Sequence, residues 1–496
     1  MHEIELKFQI PAAQRRRVEA AVAGRQRAHR LHLQACYVDT PARLLARHGM
    51  ALRLRREGRQ WVQTLKGPAA DGMTRVEHNV ARGAGSTTPP VDPVLHAGVP
   101  LGARLIELLA AQAEAPLTVL YRTDIRRRTR LVRTRGGSVE LAYDVGHILA
   151  GDDKLPVCEL EIELKSGHAQ VVLDTAARWV ARYGLWLDAR TKAERGDLLA
   201  RGAAAAPPCA AVDVALQADM DLGQAWQQVL AACRTQIAAN ASQIATGHFG
   251  DEHVHQLRVG LRRLRSAWRL FGIDEAALPI AADAKALFSR LGEARDRSVL
   301  EAEFGAPLAA AWRRAGAGNA EDEQRPWLPA VPPGSGAPED AVRDPSTQAL
   351  LLVLLDPSAM PLDAAAASLS ILGERIARWH RSSVRDARRF AELDDTARHR
   401  LRKRIKRLRY AVDFCRSLYP ARAVRRYLKP VKALQERLGE ITDLTMAIAA
   451  FRDAHARDAR AAFALGWLTA RHAQRVAEAG PDLRGYVKAP RFWKDG

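Results

Sequence analysis

Hydrophobic and polar residues alternate with a period of two along much of the chain up to about residue 200. Glu3, Glu5 and Lys7 alternate with Ile4, Leu6 and Phe8, and Glu159, Glu161 and Glu163 alternate with Leu160, Ile162 and Leu164. Successive side chains of a strand leave opposite faces of a sheet, so this pattern predicts β-strands with one charged and one apolar face. The same phase sets Arg53 and Arg55 against Leu52 and Leu54, and puts Lys66 in step with Thr64 and Val62, Arg75 with Glu77, and Asp144 with Ala142. Short helices are expected near 11–23, 101–114 and 168–183.

An Ala- and Pro-rich stretch from Ala203 to Pro208 reads as a boundary, and beyond it the apolar period becomes 3.6. This half is predicted to be helical, with one long mobile loop at 316–345, where Pro329 to Pro338 mixes Pro, Gly, Ser and Ala. It also contains an internal repeat. From His255 the sequence reads HQLRVGLRRLRSAWRLF and from His399 it reads HRLRKRIKRLRYAVDFC, with cations three, seven, eight and ten residues after each histidine. Gly292-Glu-Ala-Arg-Asp296 and Gly439-Glu-Ile-Thr-Asp443 follow at similar distances. Two pseudo-symmetric four-helix bundles are the simplest architecture that accounts for this.

Composition narrows the function classes. The 496 residues hold 76 Lys+Arg against 56 Asp+Glu, a net charge of +20, and 47% hydrophobic residues, enough for packed cores in more than one domain. The longest apolar run, Ala349 to Leu355, is far shorter than the ~18 residues of a membrane span. The opening Met1-His2-Glu3-Ile4-Glu5-Leu6-Lys7 lacks the form of a secretory signal, so a cytoplasmic protein with no membrane partner is expected. The five cysteines form neither CxxC pairs nor an even framework, which argues against disulfides and a cysteine zinc site. Only 12 of the cations are lysine, and arginine is the side chain best shaped for bidentate phosphate contacts.

The charged face of the N-terminal strands admits two readings. On an ordinary one-sided sheet it is simply solvated. If the strands instead close around a polar lumen, the charges must be paired or metal-bound, because burial of an unpaired ion costs several kcal/mol. Carboxylate oxygens suit Mg²⁺ or Mn²⁺ and Arg/Lys clusters suit phosphoryl oxygens, so a metal-bound chain of phosphates would use both sets.

The opening Glu3-Ile4-Glu5-Leu6-Lys7 resembles the ExExK signature of the CYTH family, the triphosphate tunnel metalloenzymes. The resemblance continues in order through Tyr37-Val-Asp-Thr-Pro41, Leu52-Arg-Leu-Arg55, Thr64-Leu-Lys66, Arg75-Val-Glu77, Thr123-Asp-Ile-Arg-Arg127, Asp144-Val-Gly146, Glu159-Leu-Glu-Ile-Glu-Leu-Lys-Ser-Gly167 and Lys192-Ala-Glu-Arg-Gly196. It implies a multidomain α+β protein whose N-terminal domain is an eight-stranded antiparallel β tunnel with covering helices. It implies Mg²⁺ or Mn²⁺ as cofactor, held by Glu3, Glu5, Asp144, Glu159, Glu161 and Glu163, with Glu3, Glu5, Lys7 and Glu161 at the catalytic centre. Lys7, Arg53, Arg55, Lys66, Arg75, Arg127 and Lys192 then bind the triphosphate, with Glu77 a further acidic residue beside it. A one-residue register slip would exchange Arg127 for Arg126 or Arg128. Arg75-Val-Glu-His-Asn79 and the helical second half look most like the inorganic triphosphatase branch, which implies tripolyphosphate as substrate.

In the first repeat His255, Arg258, Arg262, Arg265 and Arg269 step by three or four opposite Leu257, Leu261, Leu264, Trp268 and Phe271, and the second repeat does likewise. A face so rich in one sign is either a solvated bundle surface with salt bridges or the seat of a polyanion. The repeats resemble the CHAD domain, often found behind CYTH. That implies a basic cleft binding inorganic polyphosphate, lined by His255, Arg258, Arg262, Arg263, Arg265, His399, Arg402, Lys406, Arg407 and Arg409. No helix-turn-helix, zinc-finger or RNP-like signature accompanies it, so no specific nucleic acid partner is expected. The expected layout is a tunnel domain at 1–202, a linker at 203–212 and a helical domain at 213–490. The expected function is metal-dependent tripolyphosphate hydrolysis with polyphosphate binding, the alternative being a non-catalytic polyphosphate-binding or granule-targeting protein.

Overall fold

The structure is a computed structural model that describes residues 2–494 except 25–27, 68–72, 112–115, 317–325, 329–335, 357–359, 361, 363–367 and 453–457, and the side chains of 2, 293–299 and 494. The chain divides into two units, one formed by residues 1–209, 237–253 and 339–359, the other by 210–236, 254–338 and 360–496.

In the first unit the alternating segments become strands β1 (His2–Gln9), β2 (His29–Asp39), β3 (Ala51–Glu57), β4 (Gln60–Lys66), β5 (Thr74–Ala84), β6 (Thr118–Thr134), β7 (Gly137–Ala150) and β8 (Asp153–Gly167). They pair antiparallel in the order β5-β4-β3-β2-β6-β7-β8-β1, and β1 returns to β5, which closes an eight-stranded barrel. β1 closes it by dividing its partners: Glu3 lies opposite Arg75 of β5, while Glu5, Lys7 and Gln9 lie opposite Glu163, Glu161 and Glu159 of β8. Directly opposed residues share a face, so one register turns all these charged positions inward.

The apolar phase turns outward and is covered. Leu6, Phe8, Leu160 and Ile162 are buried, and helix α4 (Ala169–Tyr183) packs on β1, β7 and β8 with Val172, Ala176 and Val180 buried on its inner side. α1 (Arg15–Ala23) covers β6 and β7. α2 (Leu44–Arg47) and α3 (Pro100–Ala110) share an apolar cluster of Val38, Leu45, Met50, Leu52, Leu65 and Leu105. A short strand β9 (Trp186–Leu187) adds to β1, and α5 (Lys192–Ala200) packs on β6, β7 and β8.

The tunnel unit also draws on distant sequence, from α6 (Leu222–Ile244), the start of α7 (Asp251–Phe271), α9 (Pro338–Arg343) and α10 (Pro345–Leu355). Gln348 is buried; its Oε1 accepts from Leu187 N at 2.7 Å and its Nε2 donates to Val342 O at 2.8 Å. Ser242 Oγ accepts from Ala189 N at 2.9 Å. Units therefore do not follow chain order, and the first reaches past residue 202.

The second unit is helical: most of α7, α8 (Pro279–Arg314), α11 (Ser370–Arg388), α12 (Asp395–Cys415), α13 (Ala421–Phe451), α14 (Ala459–Ala477) and α15 (Gly480–Val487). The repeats form α7 and α12, whose apolar stripes, Leu257, Leu261, Leu264 and Trp268 in one and Leu401, Ile405, Leu408 and Val412 in the other, are fully buried. The expected mobile loop at 316–345 falls only partly on described residues. Residues 317–325 and 329–335 lie outside the described residues, but Trp327 and Leu328 are buried with Leu300, Phe304 and Leu308, their amides donating to Glu301 Oε1 and Oε2 at 2.9 and 2.8 Å, and 338–343 is helix. Two large apolar side chains override the loop composition around them. The five cysteines form no disulfide, and no described helix is long and apolar enough to cross a membrane.

Candidate functional site

The barrel encloses a cavity of about 1430 Å³, and Glu3, Glu5, Lys7, Arg53, Arg55, Lys66, Arg75, Glu77, Arg127, Asp144, Glu161, Glu163 and Lys192 all line it. The lumen reading of the alternating charges therefore holds. The register also decides between the neighbouring arginines of β6. Arg127 lies opposite Asp144 and points inward, whereas Arg128 points outward to pair with Glu19 of α1 at 3.0 Å.

Two charged clusters form on the wall. In the first, Lys66 Nζ lies 2.5 Å from Glu77 Oε2 and 3.2 Å from Glu3 Oε2, and Arg53 Nη2 lies 3.9 Å from Glu77 Oε1. Burial, aided by a hydrogen bond with Glu77, pushes the Glu3 carboxyl up to about 8. Burial also opposes charge on Glu77, but Lys66, the Glu3 hydrogen bond and Arg53 outweigh it and hold Glu77 well below the usual carboxylate range. Arg53 Nη1 donates to Tyr37 Oη at 3.2 Å, and Tyr37 stacks on Tyr121 with centroids 4.8 Å apart. Arg55 pairs with Glu57.

The second cluster joins strands β6, β7 and β8 to α5. Arg127 donates from Nε and Nη2 to the two oxygens of Asp144, both at 2.7 Å, and also pairs with Glu161. Lys192 Nζ lies 2.7 Å from both Asp144 Oδ2 and Glu161 Oε1 and pairs with Glu159, which Arg195 also engages. Asp144 and Glu159 are wholly buried. Burial raises a carboxyl's pKa, but at Glu161 the neighbouring Arg127 and Lys192, and at Glu159 the neighbouring Arg195 and Lys192, reverse it and keep both anionic. Oxygens of Asp144, Glu159 and Glu161 converge within 4.8 Å of one another. Three carboxylates offering hard oxygen ligands in a buried wall fit a small divalent ion.

The other acidic candidates stand apart from this trio. Glu3 belongs to the Lys66 cluster; Glu163 lies 2.5 Å from Lys165, which also reaches Glu140. Glu5 sits between the groups, close enough to Glu3, Arg127 and Glu163 to influence the charge of each. Lys7 is buried, and burial pushes its ammonium below the ordinary value.

α5 owes its position to local chemistry. Thr191 Oγ1 accepts from Glu194 N at 2.9 Å while Glu194 Oε2 accepts from Thr191 N at 2.6 Å, a capping box that starts the helix at Lys192. Gly196 lets it approach β6, since a Cβ there would lie 2.2 Å from Tyr121 Cδ2. Reading the sequence missed Arg195, Gln9 and Tyr37. Gln9 Nε2 donates to Glu159 Oε2 at 3.2 Å and Asp188 Oδ2 at 3.0 Å. Tyr37 and Arg195 stand inside the CYTH-like motifs and Gln9 continues the inward phase of β1, so the motifs carried a signal for the first two and periodicity for the third.

In the helical unit the repeats bring cations of α7 and α12 together. Burial, then Arg262 and Arg402, push the Lys406 ammonium down to about 6, with Arg409 adding to the effect and Asp443 opposing it. Arg402 Nη2 lies 3.6 Å from Asp443 Oδ1, and Arg258 and Arg262 extend over the Phe288 ring at 4.8 and 5.7 Å. His255 and His399 are half-buried, and burial beside Lys403 and Arg402 lowers His399. Arg263 and Arg407, equivalent in the repeat, instead leave this face. Arg263 is buried over Phe414 and donates to Gln236 Oε1 at 2.7 Å, while Arg407 lies over Trp379 at 4.6 Å. Eight residues after the histidine is off the three-four stripe, and there an aromatic ring receives the guanidinium. Arg265 bonds Glu275 Oε2 at 3.2 Å, and Arg409 lies over Tyr410.

Residues 1–196 match the CYTH domain family and residues 228–452 match the CHAD domain family. An inorganic triphosphatase of Haemophilus influenzae is 31% identical over 174 residues, which cover 34% of this chain and 46% of that protein, so the chain spans about half the length of that relative. Among solved structures, the CHAD domain of the plant Ricinus communis is 30% identical, covering 57% of this chain and 98% of that one, with a TM-score of 0.44. A Hippeastrum protein with a dominant triphosphatase activity is 16% identical, covering 40% of this chain and 96% of that one, with a TM-score of 0.29.

Proposed function

Because the chain joins a CYTH domain at residues 1–196 to a CHAD domain at 228–452, we propose that it hydrolyses inorganic tripolyphosphate to pyrophosphate and phosphate in the tunnel and binds polyphosphate through its helical unit. The observation that carries the first part is the closed lumen lined by Asp144 and Glu161, which converge with the buried Glu159, and by Lys66, Arg53, Arg55 and Arg75. That combination matches a divalent ion with a chain of phosphates and has no use on a solvated sheet face. Similarity to an inorganic triphosphatase supports the same reaction class.

A divalent ion held by Asp144, Glu159 and Glu161 would supply positive charge against the phosphate chain and a Lewis-acid site for water. The chain's own side chains do the rest. Arg53, Arg55, Lys66 and Arg75 bind phosphoryl oxygens, and Arg53 is oriented by Tyr37. Lys192 and Arg127, which neutralise the acidic trio here, can turn to the oxygen on which charge develops as the bridging P–O bond breaks. Glu5, between the two clusters, is placed to orient the attacking water. Burial of the charged wall strengthens each of these interactions.

Phosphate release from tripolyphosphate by the purified chain with Mg²⁺ or Mn²⁺, compared with ATP and thiamine triphosphate, tests the reading. Metal-dependent release is expected for tripolyphosphate, and Glu161→Ala should lower kcat at least a hundredfold. No release from any of the three, with polyphosphate still bound, would leave a polyphosphate-binding or granule-targeting protein. The polyphosphate part rests on the Arg262, Arg402, Lys406 and Arg409 group, whose mutual repulsion an anion would relieve.

A further inference from the structure

A pocket of about 380 Å³ opens in the helical unit, apart from the cations that α7 and α12 share. It lies between the C-terminal half of α11 and the chain beyond α15, and is walled by Arg381, Arg385, Arg388, Arg389 and Arg491 around Val384, Val487 and His380. Arg381, Arg385 and Arg388 step by four and three along one stripe of α11. A helix C-terminus attracts a basic residue or two. It does not account for Arg491, which comes from another part of the chain to the same wall.

The charges are unbalanced. Among the described residues, Arg381, Arg385, Arg388 and Arg491 have no carboxylate within ion-pair distance, and two acids of the same stretch are engaged elsewhere, Glu392 by Arg389 at 2.7 Å and Asp386 by Arg404. The floor is rigid. His380 is 3% exposed and packs tilted against Tyr427 and edge-on against Tyr486 and Trp493, with centroids 5.6, 5.3 and 5.3 Å away. Its Nδ1 lies 3.0 Å from Tyr427 Oη, and its other ring nitrogen has no hydrogen-bond partner among the described residues. Tyr486 Oη in turn meets Ser383 Oγ at 2.5 Å. Burial, then Arg491 and Arg381, hold the imidazole down to about 4, so near pH 7 it is a neutral polar group under a ring of cations.

We infer that this pocket is an independent oxyanion site that takes a small, multiply charged phosphate anion, inorganic phosphate or pyrophosphate. Guanidinium forks match tetrahedral phosphoryl oxygens two at a time, and several unpaired guanidiniums favour a ligand with more than one negative charge. The volume admits one or two phosphoryl groups. The inference does not depend on hydrolysis in the tunnel.

Amide hydrogen exchange on the full chain separates this site from the tunnel and from the α7–α12 face. Adding pyrophosphate at millimolar concentration, with NaCl at matched ionic strength as control, should slow exchange at least tenfold in peptides covering 380–391 and 487–494. A parallel series with inorganic phosphate distinguishes the two ligands. Arg385→Gln/Arg388→Gln, at exposed positions, should abolish that protection while leaving tripolyphosphate hydrolysis and pyrophosphate protection of β1 and β8 unchanged. Equal protection in the variant, or protection by NaCl alone, would overturn the inference, as would no protection of these peptides in the unsubstituted chain.

Discussion

Lys406 shows how far a neighbourhood changes one side chain. Its ammonium is buried and faces Arg262, Arg402 and Arg409, so it gives up its proton at about 6 rather than at the ordinary 10.5. Between those values the unfolded chain binds a proton that the folded chain does not, so stability falls as pH is lowered through that window. A polyanion laid over the same group restores the charged form. Polyphosphate binding at pH 8 should therefore take up close to one proton per chain, read as the difference in binding heat between buffers of different ionisation enthalpy, and Lys406→Met should remove that uptake. An unchanged uptake in the variant would place the polyanion elsewhere. The repeat made Lys406 visible in the sequence; its lowered proton affinity was not, because it depends on Arg262, which arrives from 144 residues earlier in the chain.

Elements carry the next level of control. α5 holds Lys192 and Arg195 against Asp144, Glu159 and Glu161, and it is fixed by the Thr191–Glu194 capping box and by close contact of Gly196 with Tyr121. Thr191→Ala should cost about 1 kcal/mol of stability, and Gly196→Ala about 1–3 kcal/mol from overpacking, measured by denaturant unfolding. Both should raise KM for tripolyphosphate by displacing Lys192. If Gly196→Ala kept wild-type KM, α5 would not be what positions that lysine. Strands and their inward phase were legible because period-two alternation survives wherever one face is charged, as in β1 and β8. α5 was not foreseen as a helix, since nine residues with few apolar positions give little periodicity to read. The loop expected at 316–345 failed at Trp327 and Leu328 for the opposite reason, as composition outvoted two residues that packing uses.

At the scale of the molecule, chain order and architecture part company. The tunnel unit includes 237–253 and 339–359, and Leu187 and Ala189, next to the closing strand, hand their amide hydrogens to Gln348 and Ser242. Ending the chain at residue 209 would leave both amides, and the face of α4 that α10 covers, without partners, although the CYTH match ends at residue 196. Such a truncation should unfold at a temperature at least several degrees lower than the full chain, and tripolyphosphate hydrolysis should decline with it. A truncated tunnel with the full chain's melting temperature would show these segments to be dispensable. Sequence comparison could not reveal this, because family boundaries follow resemblance along the chain and packing follows proximity.

The division of β1 between β5 and β8 also has a bearing on synthesis. Its residues Glu3 and Ile4 find partners some 70 positions later, Glu5 to Gln9 wait for 159–163, and the helix bearing Gln348 emerges later still. During translation the barrel must stay open, its charged inner wall wet, until β8 has left the ribosome. Closure is then a long-range event, and slow arrival of β8 would prolong exposure of the free edge of β1 to nascent neighbours on the same messenger.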